Sequence, residues 1–194
     1  MALILGFDTS AAHCAAALLD GDTLIEARAE TMSRGQAERL MGLLEELLAR
    51  HCKAWADLDG IGVGVGPGNF TGIRISVSAA RGLALALPKA PAIGVTTFAA
   101  IAVDAPSAIA AVPAPRDQLY TNADPAAPAL LPREKAEALG PLALPPEAAK
   151  LAENIARVAA ARLAVSRAHP TPAPLYIRAA DAAPPRDPAP VILP

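Results

Sequence analysis

The 194-residue chain is poor in the residues that mark several classes of protein. Aromatic side chains make up only 3% of it, it has two cysteines, and no apolar run approaches the ~20 residues needed to cross a bilayer. A disulfide-stapled scaffold and a membrane-spanning helix are therefore not predicted. Hydrophobic residues still make up 53% of the chain, so alanine and leucine must fill its core.

The chain also lacks an excess of basic residues. Its formal net charge is -2, and neither half is basic. Residues 1–104 contain 8 Lys/Arg and 11 Asp/Glu, and residues 105–194 contain 9 Lys/Arg and 8 Asp/Glu. A protein that binds nucleic acid unaided usually presents a basic surface. We therefore expect any nucleic acid contact to depend on another chain that supplies most of the phosphate contacts.

Cysteine and histidine give no metal-binding pattern. Cys14 and Cys52 lie far apart in apolar segments, which predicts two buried free thiols and no zinc site. No two of the three histidines are four residues apart, as a paired site on one helix would require, so no metal is expected. The N-terminus has no basic region before its apolar strand. A signal peptide is therefore not predicted. The two free thiols favour a cytoplasmic location.

Proline and glycine divide the chain. Residues 105–194 contain 17 of the 20 prolines but only one of the 13 glycines. This shift predicts a boundary near residue 104. We expect an N-terminal subdomain at 1–104, a shortened proline-rich subdomain at 105–182 and a proline-rich tail at 183–194.

The hydrophobic pattern predicts an α/β fold. Three strands open the chain, a helix begins at a Ser33–Gln36 capping box, and two strand–helix pairs follow. The predicted strands are 2–7, 13–19, 23–28, 60–65 and 92–95. The predicted helices run from the Ser33–Gln36 capping box to about 51, over 70–87, and from 96 or 97 to 103. This βββαβαβα order predicts a mixed sheet, an antiparallel meander extended by parallel strands. Later segments favour strands at 108–112 and 118–122 and a helix from 147 to 165 that Pro146 opens, since proline is favoured at the first helical position.

A glycine-rich stretch, GIGVGVGPGNFTGIRISVSAAR at 60–81, joins a buried strand to an apolar helix. Asn69 or Thr71 can cap that helix. Glycine turns at helix N-termini bind phosphate in some proteins, but this one lacks the Walker lysine. We expect a structural turn, with phosphate binding as the alternative. The turn residues are Gly66, Pro67, Gly68, Asn69, Phe70, Thr71 and Gly72.

Within this stretch, GPGNFTGIRIS closely resembles the GPGSFTGLRIG signature of the TsaB family, bacterial proteins of tRNA threonylcarbamoyladenosine synthesis. ILGFDTS at 4–10, GQAERLMGLLEELL at 35–48 and PLYIRAADA at 174–182 resemble further segments of that family. The resemblance is continuous over about residues 1–104 and patchy afterwards. It implies an actin-like ATPase (ASKHA) fold, with a second half shortened mainly between Tyr120 and Pro146.

The resemblance also implies a function. TsaB proteins are non-catalytic scaffolds that dimerise with TsaD, which transfers a threonylcarbamoyl group to an adenosine beside the anticodon. We accordingly expect no cofactor, TsaD and TsaE as partners, a homodimer when the chain is alone, and tRNA contact only through the complex. The family often has a histidine where this chain has Gln36, so a role built on that imidazole is not expected here.

Asp8, Thr9 and Ser10 follow the first strand, where related ATPases bind nucleotide phosphates and metal. One interpretation is a vestigial nucleotide-binding site, and the other is a turn closed by side-chain hydrogen bonds. The competing function is a small ATP-dependent phosphotransferase that uses Asp8 and the turn from Gly66 to Thr71. No G-x-S-x-G segment with a histidine and aspartate motif supports nucleophilic catalysis.

The first two helices have broad apolar faces. Apolar residues spread over about 180° of the first helix, whereas contact with one sheet needs about 100°. Either the helices pack on each other and on the second half, or they form a subunit interface, which we favour. The predicted interface comprises Arg39, Leu40, Met41, Leu44, Leu48, Ile73, Arg74, Ile75, Val77 and Arg81.

Overall fold

The computed structural model describes residues 2–177, in which two sheets form. The first has the order β3-β2-β1-β4-β5. Strands β1 to β3 are antiparallel, and β4 and β5 extend the sheet parallel to β1. The mixed sheet predicted from the sequence is therefore confirmed. Its strands are β1 (Leu3–Asp8), β2 (His13–Asp20), β3 (Thr23–Thr31), β4 (Gly60–Gly64) and β5 (Ala92–Val95).

Three helices alternate with these strands in the predicted order: α1 (Gln36–Arg50), α2 (Phe70–Ala86) and α3 (Thr97–Ala102). Asn69 caps α2, because its side chain accepts a hydrogen bond from the Gly72 amide at 2.9 Å. The predicted Ser33–Gln36 capping box is wrong. The residue at the N-cap of α1 is Gly35, with φ of 90°, and the side-chain amide Nε2 of Gln36 donates to the Met32 carbonyl oxygen.

Helices α1 and α2 cover one face of the first sheet and also pack against each other. The sequence indicated more apolar surface on these helices than one sheet can cover, and their packing against each other buries part of it. Five members of the predicted interface are at most 3% exposed within the single chain, so they cannot contact a partner while the core is intact. These five are Leu40, Leu44, Leu48, Ile73 and Val77.

The opposite face of the sheet is covered by α5 (Ala148–Val165), which comes from the second half of the chain. Glycines in the strands allow this helix to lie close to the sheet. A Cβ at Gly62 would lie 2.8 Å from the Ala159 Cβ, and one at Gly6 would lie 2.7 Å from the Ala152 carbonyl oxygen. The prediction that Pro146 is the first helical residue is wrong, since Glu147 is the N-cap.

The second sheet has the order β8-β7-β6-β9. Its strands are β6 (Ile109–Ala114), β7 (Gln118–Thr121), β8 (Ala129–Pro132) and β9 (Leu142–Ala143), with α4 (Arg133–Glu137) between the last two. Only β6 and β7 were expected from the sequence, because β8, α4 and β9 are too short to show a hydrophobic period. Residue 104 lies between the last strand of the first sheet and the first strand of the second, yet α5 packs on the first sheet. The predicted division into subdomains stays a prediction.

After α5 the chain runs without regular structure along the first sheet to Ile177. Pro172 is buried near Gly94, and the Leu175 amide donates to the Val65 carbonyl oxygen at 2.8 Å. Residues 178–182 of the family-like segment and the predicted tail at 183–194 lie outside the described residues. Over the described part, no helix has the length and apolarity needed to span a membrane.

The two cysteines differ in exposure. Cys14 on β2 is buried, as predicted, whereas Cys52 is exposed. Cys52 has a positive φ of 53° in the turn just beyond the end of α1. The prediction that both thiols are buried is therefore wrong for Cys52.

Candidate functional site: a glycine turn beside a cleft

The carboxylate of Asp8 lies at the C-terminal end of β1 and is completely buried. Its Oδ2 atom accepts three hydrogen bonds: from the Ser10 amide at 2.9 Å, the Ser10 hydroxyl at 2.9 Å and His13 Nε2 at 2.7 Å. Its Oδ1 atom has no hydrogen-bond partner among residues 2–177 and faces Gly64. The Asp8 side chain therefore closes the turn and also holds a histidine.

Thr9 and Ser10 join this turn to the start of α2. The Thr9 hydroxyl donates to the Gly72 carbonyl oxygen at 2.7 Å, and the Asn69 amide donates to the Ser10 carbonyl oxygen at 2.6 Å. A Cβ at Gly72 would overlap the Thr9 carbonyl oxygen. The two sequence motifs are therefore in direct contact through backbone atoms.

The Gly66–Pro67 segment of the turn is tied to α3. Gly66 has a φ of 92°, which favours glycine, and the peptide bond to Pro67 is cis. The Thr97 amide donates to the Gly66 carbonyl oxygen at 2.8 Å, and the Thr97 hydroxyl donates to the Pro67 carbonyl oxygen at 3.1 Å. These carbonyl oxygens thus accept hydrogen bonds within the chain. Whether the turn or Asp8, Thr9 and Ser10 bind a nucleotide stays a prediction.

An exposed aromatic cluster joins the turn to the end of the described chain. The rings of Phe70 and Tyr176 lie 4.7 Å apart between centroids, and the guanidinium of Arg74 lies 3.9 Å from the Phe70 ring centroid. Arg74 Nε also donates to the Tyr176 hydroxyl at 3.0 Å. The family-like segments around residues 70 and 176 are therefore adjacent in space.

A cleft of about 680 Å³ opens beside the turn, between the two sheets. The first half of the chain contributes the turn, Thr97 and the segment from Ser10 to His13. The second half contributes Val112, Tyr120, several prolines and the start of α5 with Leu151. Among the described residues, no Lys, Arg, Asp or Glu lines this cleft. Its lining is therefore mainly apolar, with a few neutral hydrogen-bonding groups and one imidazole.

His13 is a candidate that sequence reasoning missed. It opens β2 directly after the short turn from β1, so the antiparallel pairing of these strands brings it beside Asp8. The available signal was the position of an aspartate and a histidine at the two ends of one tight strand connection. Histidine pairs four residues apart, the pattern sought in the sequence, do not reveal such a contact.

The remaining residues of the predicted interface differ in accessibility. Met41, Arg74 and Arg81 are exposed, and Ile75 is half-buried. Arg39 is held by two glutamates: its guanidinium donates to Glu30 at 2.6 and 2.7 Å and to Glu46 at 2.6 and 2.8 Å. Hydrogen bonding to Arg39 lowers the pKa of Glu30 and lowers that of Glu46 to about 2. Whether these residues contact a partner stays a prediction.

Metal binding was not expected from the sequence. Within residues 2–177, no group of three or more His, Cys, Asp or Glu side chains is arranged to hold a metal ion. Asp8, His13 and Ser10 meet near the cleft, but their mutual hydrogen bonds use the Oδ2 atom of the carboxylate. These contacts hold the His13 ring in one orientation against Asp8.

Comparison with known proteins places these features in a family. A sequence model described as "TsaD: tRNA N6-adenosine threonylcarbamoyltransferase" matches residues 28–177. No curated protein sequence matches the chain. Solved structures do match the chain, among them two from Pseudomonas aeruginosa. One is a protein described as similar to peptidase YEAZ, and the other is YeaZ itself.

Both structural matches extend over most of the two chains compared. The first is 26% identical, covers 92% of this chain and 100% of its own, and has a TM-score of 0.72. YeaZ is also 26% identical, covers 84% and 93%, and has a TM-score of 0.65. The actin-like fold expected from the sequence is thereby confirmed. The chain belongs to the TsaD family, tRNA N6-adenosine threonylcarbamoyltransferase, as a TsaB/YeaZ-like member.

Proposed function

We propose that this chain is a non-catalytic scaffold subunit that dimerises with TsaD for threonylcarbamoyl transfer to the adenosine beside the tRNA anticodon. The observation that carries this proposal is that polar side chains in and beside the two motifs form hydrogen bonds within the chain itself. Thr9, Asn69 and Thr97 all bond to backbone atoms of the turn or of α2. Side chains occupied in this way hold the fold together, as a scaffold requires.

The contacts of Asp8 also support a scaffold more than a phosphotransferase. Phosphoryl transfer needs several groups that converge on a metal ion and the γ-phosphate. Here Oδ2 of Asp8 is bonded to Ser10 and His13, and Oδ1 is buried against Gly64. The only ionisable side chains among the described residues of the cleft lining are His13 and Tyr120. Neither can neutralise a triphosphate.

The partner surface that we propose is the solvent-facing side of α1 and α2. Its members are accessible, unlike the five buried residues of the sequence-based list. On α2 they include Arg74, Arg81 and Leu85, and on α1 Met41. Arginine and methionine are enriched at protein interfaces relative to the rest of the surface. The same surface would form the homodimer when TsaD is absent, so the two assemblies should compete.

TsaE would join the TsaD complex, and tRNA would be bound by that complex as a whole. The net charge of -2 supports this division, because most phosphate contacts must come from other chains. A complex that modifies tRNA would work in the cytoplasm.

Co-expression with the TsaD of the same organism, followed by size-exclusion chromatography, tests the proposed surface. Leu85 is 88% exposed on α2, and Val165 is 89% exposed at the end of α5, so the two form a matched pair. Leu85→Glu should abolish co-elution with TsaD, whereas Val165→Glu should leave it unchanged. Co-elution that survives both Leu85→Glu and Met41→Glu would show that this surface is not the interface.

A further inference from the structure

Helix α1 carries two acidic side chains in line on its solvent-facing side. Glu38 and Glu45 are both exposed, and neither forms a salt bridge with the described residues. Seven residues make almost two helical turns, so the two carboxylates lie on one side of the helix, about 10 Å apart along its axis. We call Glu38 and Glu45 the glutamate stripe.

Helix α2 carries the opposite charge at the same spacing. Arg74 and Arg81 are exposed, lie seven residues apart and form no salt bridge within residues 2–177. Arg74 donates to Tyr176 through Nε, so its two terminal nitrogens can bind a carboxylate. No Asp or Glu occurs in the sequence between Asp59 and Asp104, so α2 has no counter-charge of its own. We call Arg74 and Arg81 the arginine stripe.

The two helices run in the same direction. Strand β2 is antiparallel to both β1 and β3, and β4 is parallel to β1, so β3 and β4 point the same way. Helix α1 leads from the end of β3 back to the start of β4, and α2 leads from the end of β4 back to the start of β5. Both helices cover the same face of the sheet. The chain therefore presents a negative and a positive stripe that are parallel and equally spaced.

We propose that two copies of this chain associate with the glutamate stripe of each copy against the arginine stripe of the other. A two-fold axis parallel to the helices achieves this, because it places α1 of one copy on α2 of the second in the same direction. Glu38 then meets Arg74 and Glu45 meets Arg81, twice in each dimer. This inference rests on the partner surface proposed above, for which TsaD would compete.

Charge disfavours the other two-fold arrangement of these helices. An axis perpendicular to the helices, in the plane of contact, would stack each helix on its own copy. Glutamates would then face glutamates and arginines would face arginines, which is unfavourable. In the arrangement that we propose, Leu85 lies opposite the exposed Ala49 of the second copy, since each follows the first member of its stripe by eleven residues. The charges therefore favour pairing of α1 with α2.

Charge reversal on the two helices tests the pairing. One variant carries Glu38→Lys with Glu45→Lys, and the other carries Arg74→Glu with Arg81→Glu. Sedimentation equilibrium should show a wild-type dimer and a self-association about 100-fold or more weaker in each variant, because like charges face each other at both contacts. An equimolar mixture of the two variants should form dimers again, since every contact between them joins opposite charges.

The matched control is Arg116→Glu with Lys135→Glu, which reverses two exposed cations in the second half of the chain. This variant should self-associate as the wild type does. Raising the NaCl concentration should weaken the wild-type dimer, because salt screens exposed charges. Circular dichroism checks that each variant is folded, and recovery of dimers in the mixture requires that both are.

Two results would overturn the pairing: a dimer that survives both reversals, or folded variants whose mixture stays monomeric. A wild-type monomer whose co-elution with TsaD is still abolished by Leu85→Glu would also overturn it, and would leave the proposed function in place with TsaD as the occupant of this surface. Conversely, dimers that follow the charge reversals in a chain that does not bind TsaD would support the pairing and contradict the proposed function.

Discussion

The Thr9 hydroxyl donates a hydrogen bond to the carbonyl oxygen of Gly72, 63 positions later in the chain, over 2.7 Å. Together with the bond from the Asn69 amide to the Ser10 carbonyl oxygen, it fastens the end of β1 to the first turn of α2. The space between the two backbones is filled, since any Cβ at Gly72 would overlap the Thr9 carbonyl oxygen. The strand-end motif and the glycine turn therefore form one structural unit.

Gly72→Ala should destabilise the protein. The new methyl group meets the backbone carbonyl of Thr9, directly after β1, so relief requires a shift of α2 or of the turn. Overpacking of this kind typically costs about 1 to 3 kcal/mol. The free energy of unfolding from urea titration measures the effect.

Gly82→Ala on the same helix is the control. A Cβ at Gly82 has no neighbouring atom within 4 Å, so alanine there gains helix propensity without a clash. Its expected effect is a stabilisation of up to about 1 kcal/mol. If Gly72→Ala proves as stable as Gly82→Ala, the close contact between the two motifs is not real.

The ion pairs of Arg39 predict a pH-dependent contribution to stability. The pKa of Glu46 falls from its ordinary 4.5 to about 2 in the fold because Arg39 donates hydrogen bonds to it, and the pKa of Glu30 is lowered for the same reason. A lowered pKa stabilises the fold above the unfolded value, and that stability is lost as the pH falls through the folded value. Arg39→Gln should therefore destabilise the protein near neutral pH.

The difference between wild type and Arg39→Gln should shrink as the pH falls from about 4.5 towards about 2. Urea unfolding at a series of pH values measures this difference. Arg34→Gln, at an exposed position outside the Arg39 cluster, should show no such trend. A difference that is constant with pH would mean that these ion pairs do not contribute to stability through the glutamate charges.

The two cysteines should react at different rates. Burial raises the pKa of the Cys14 thiol to about 11, whereas Cys52 is exposed. Because the thiolate is the reactive form, a disulfide reagent such as DTNB should label one thiol per native chain and two per unfolded chain. Native Cys52→Ser protein should then remain unlabelled. Rapid labelling of that variant would show that Cys14 is accessible.

Much of the first half of the fold is predictable because its signals are local and long enough to read. The alternation of strands and helices shows in apolar runs, and Asn69 has the side chain and position of an N-cap. The Ser33–Gln36 spacing misled because capping depends on backbone geometry. Gly35 takes a left-handed conformation, so the helix begins without a side-chain cap.

The site was less predictable because its contacts join residues that are far apart in the sequence or that lie on two antiparallel strands. Tyr176 meets Phe70 only once the chain has crossed the second sheet and returned along α5. His13 meets Asp8 because β1 and β2 are antiparallel. The broad apolar faces of α1 and α2 suggest an interface from the sequence. The residue pattern of one helix does not show how that helix packs against the other.

Reconstituted threonylcarbamoyl transfer tests the proposed function most directly. TsaD, TsaE and the threonylcarbamoyl-AMP synthase TsaC of the same organism would be combined with tRNA, labelled threonine, bicarbonate and ATP. The modified adenosine per tRNA would be measured with and without this chain. We predict a loss of about tenfold or more when the chain is omitted, a similar loss with Leu85→Glu, and full transfer with Val165→Glu. Equal transfer with and without the chain would contradict the scaffold role.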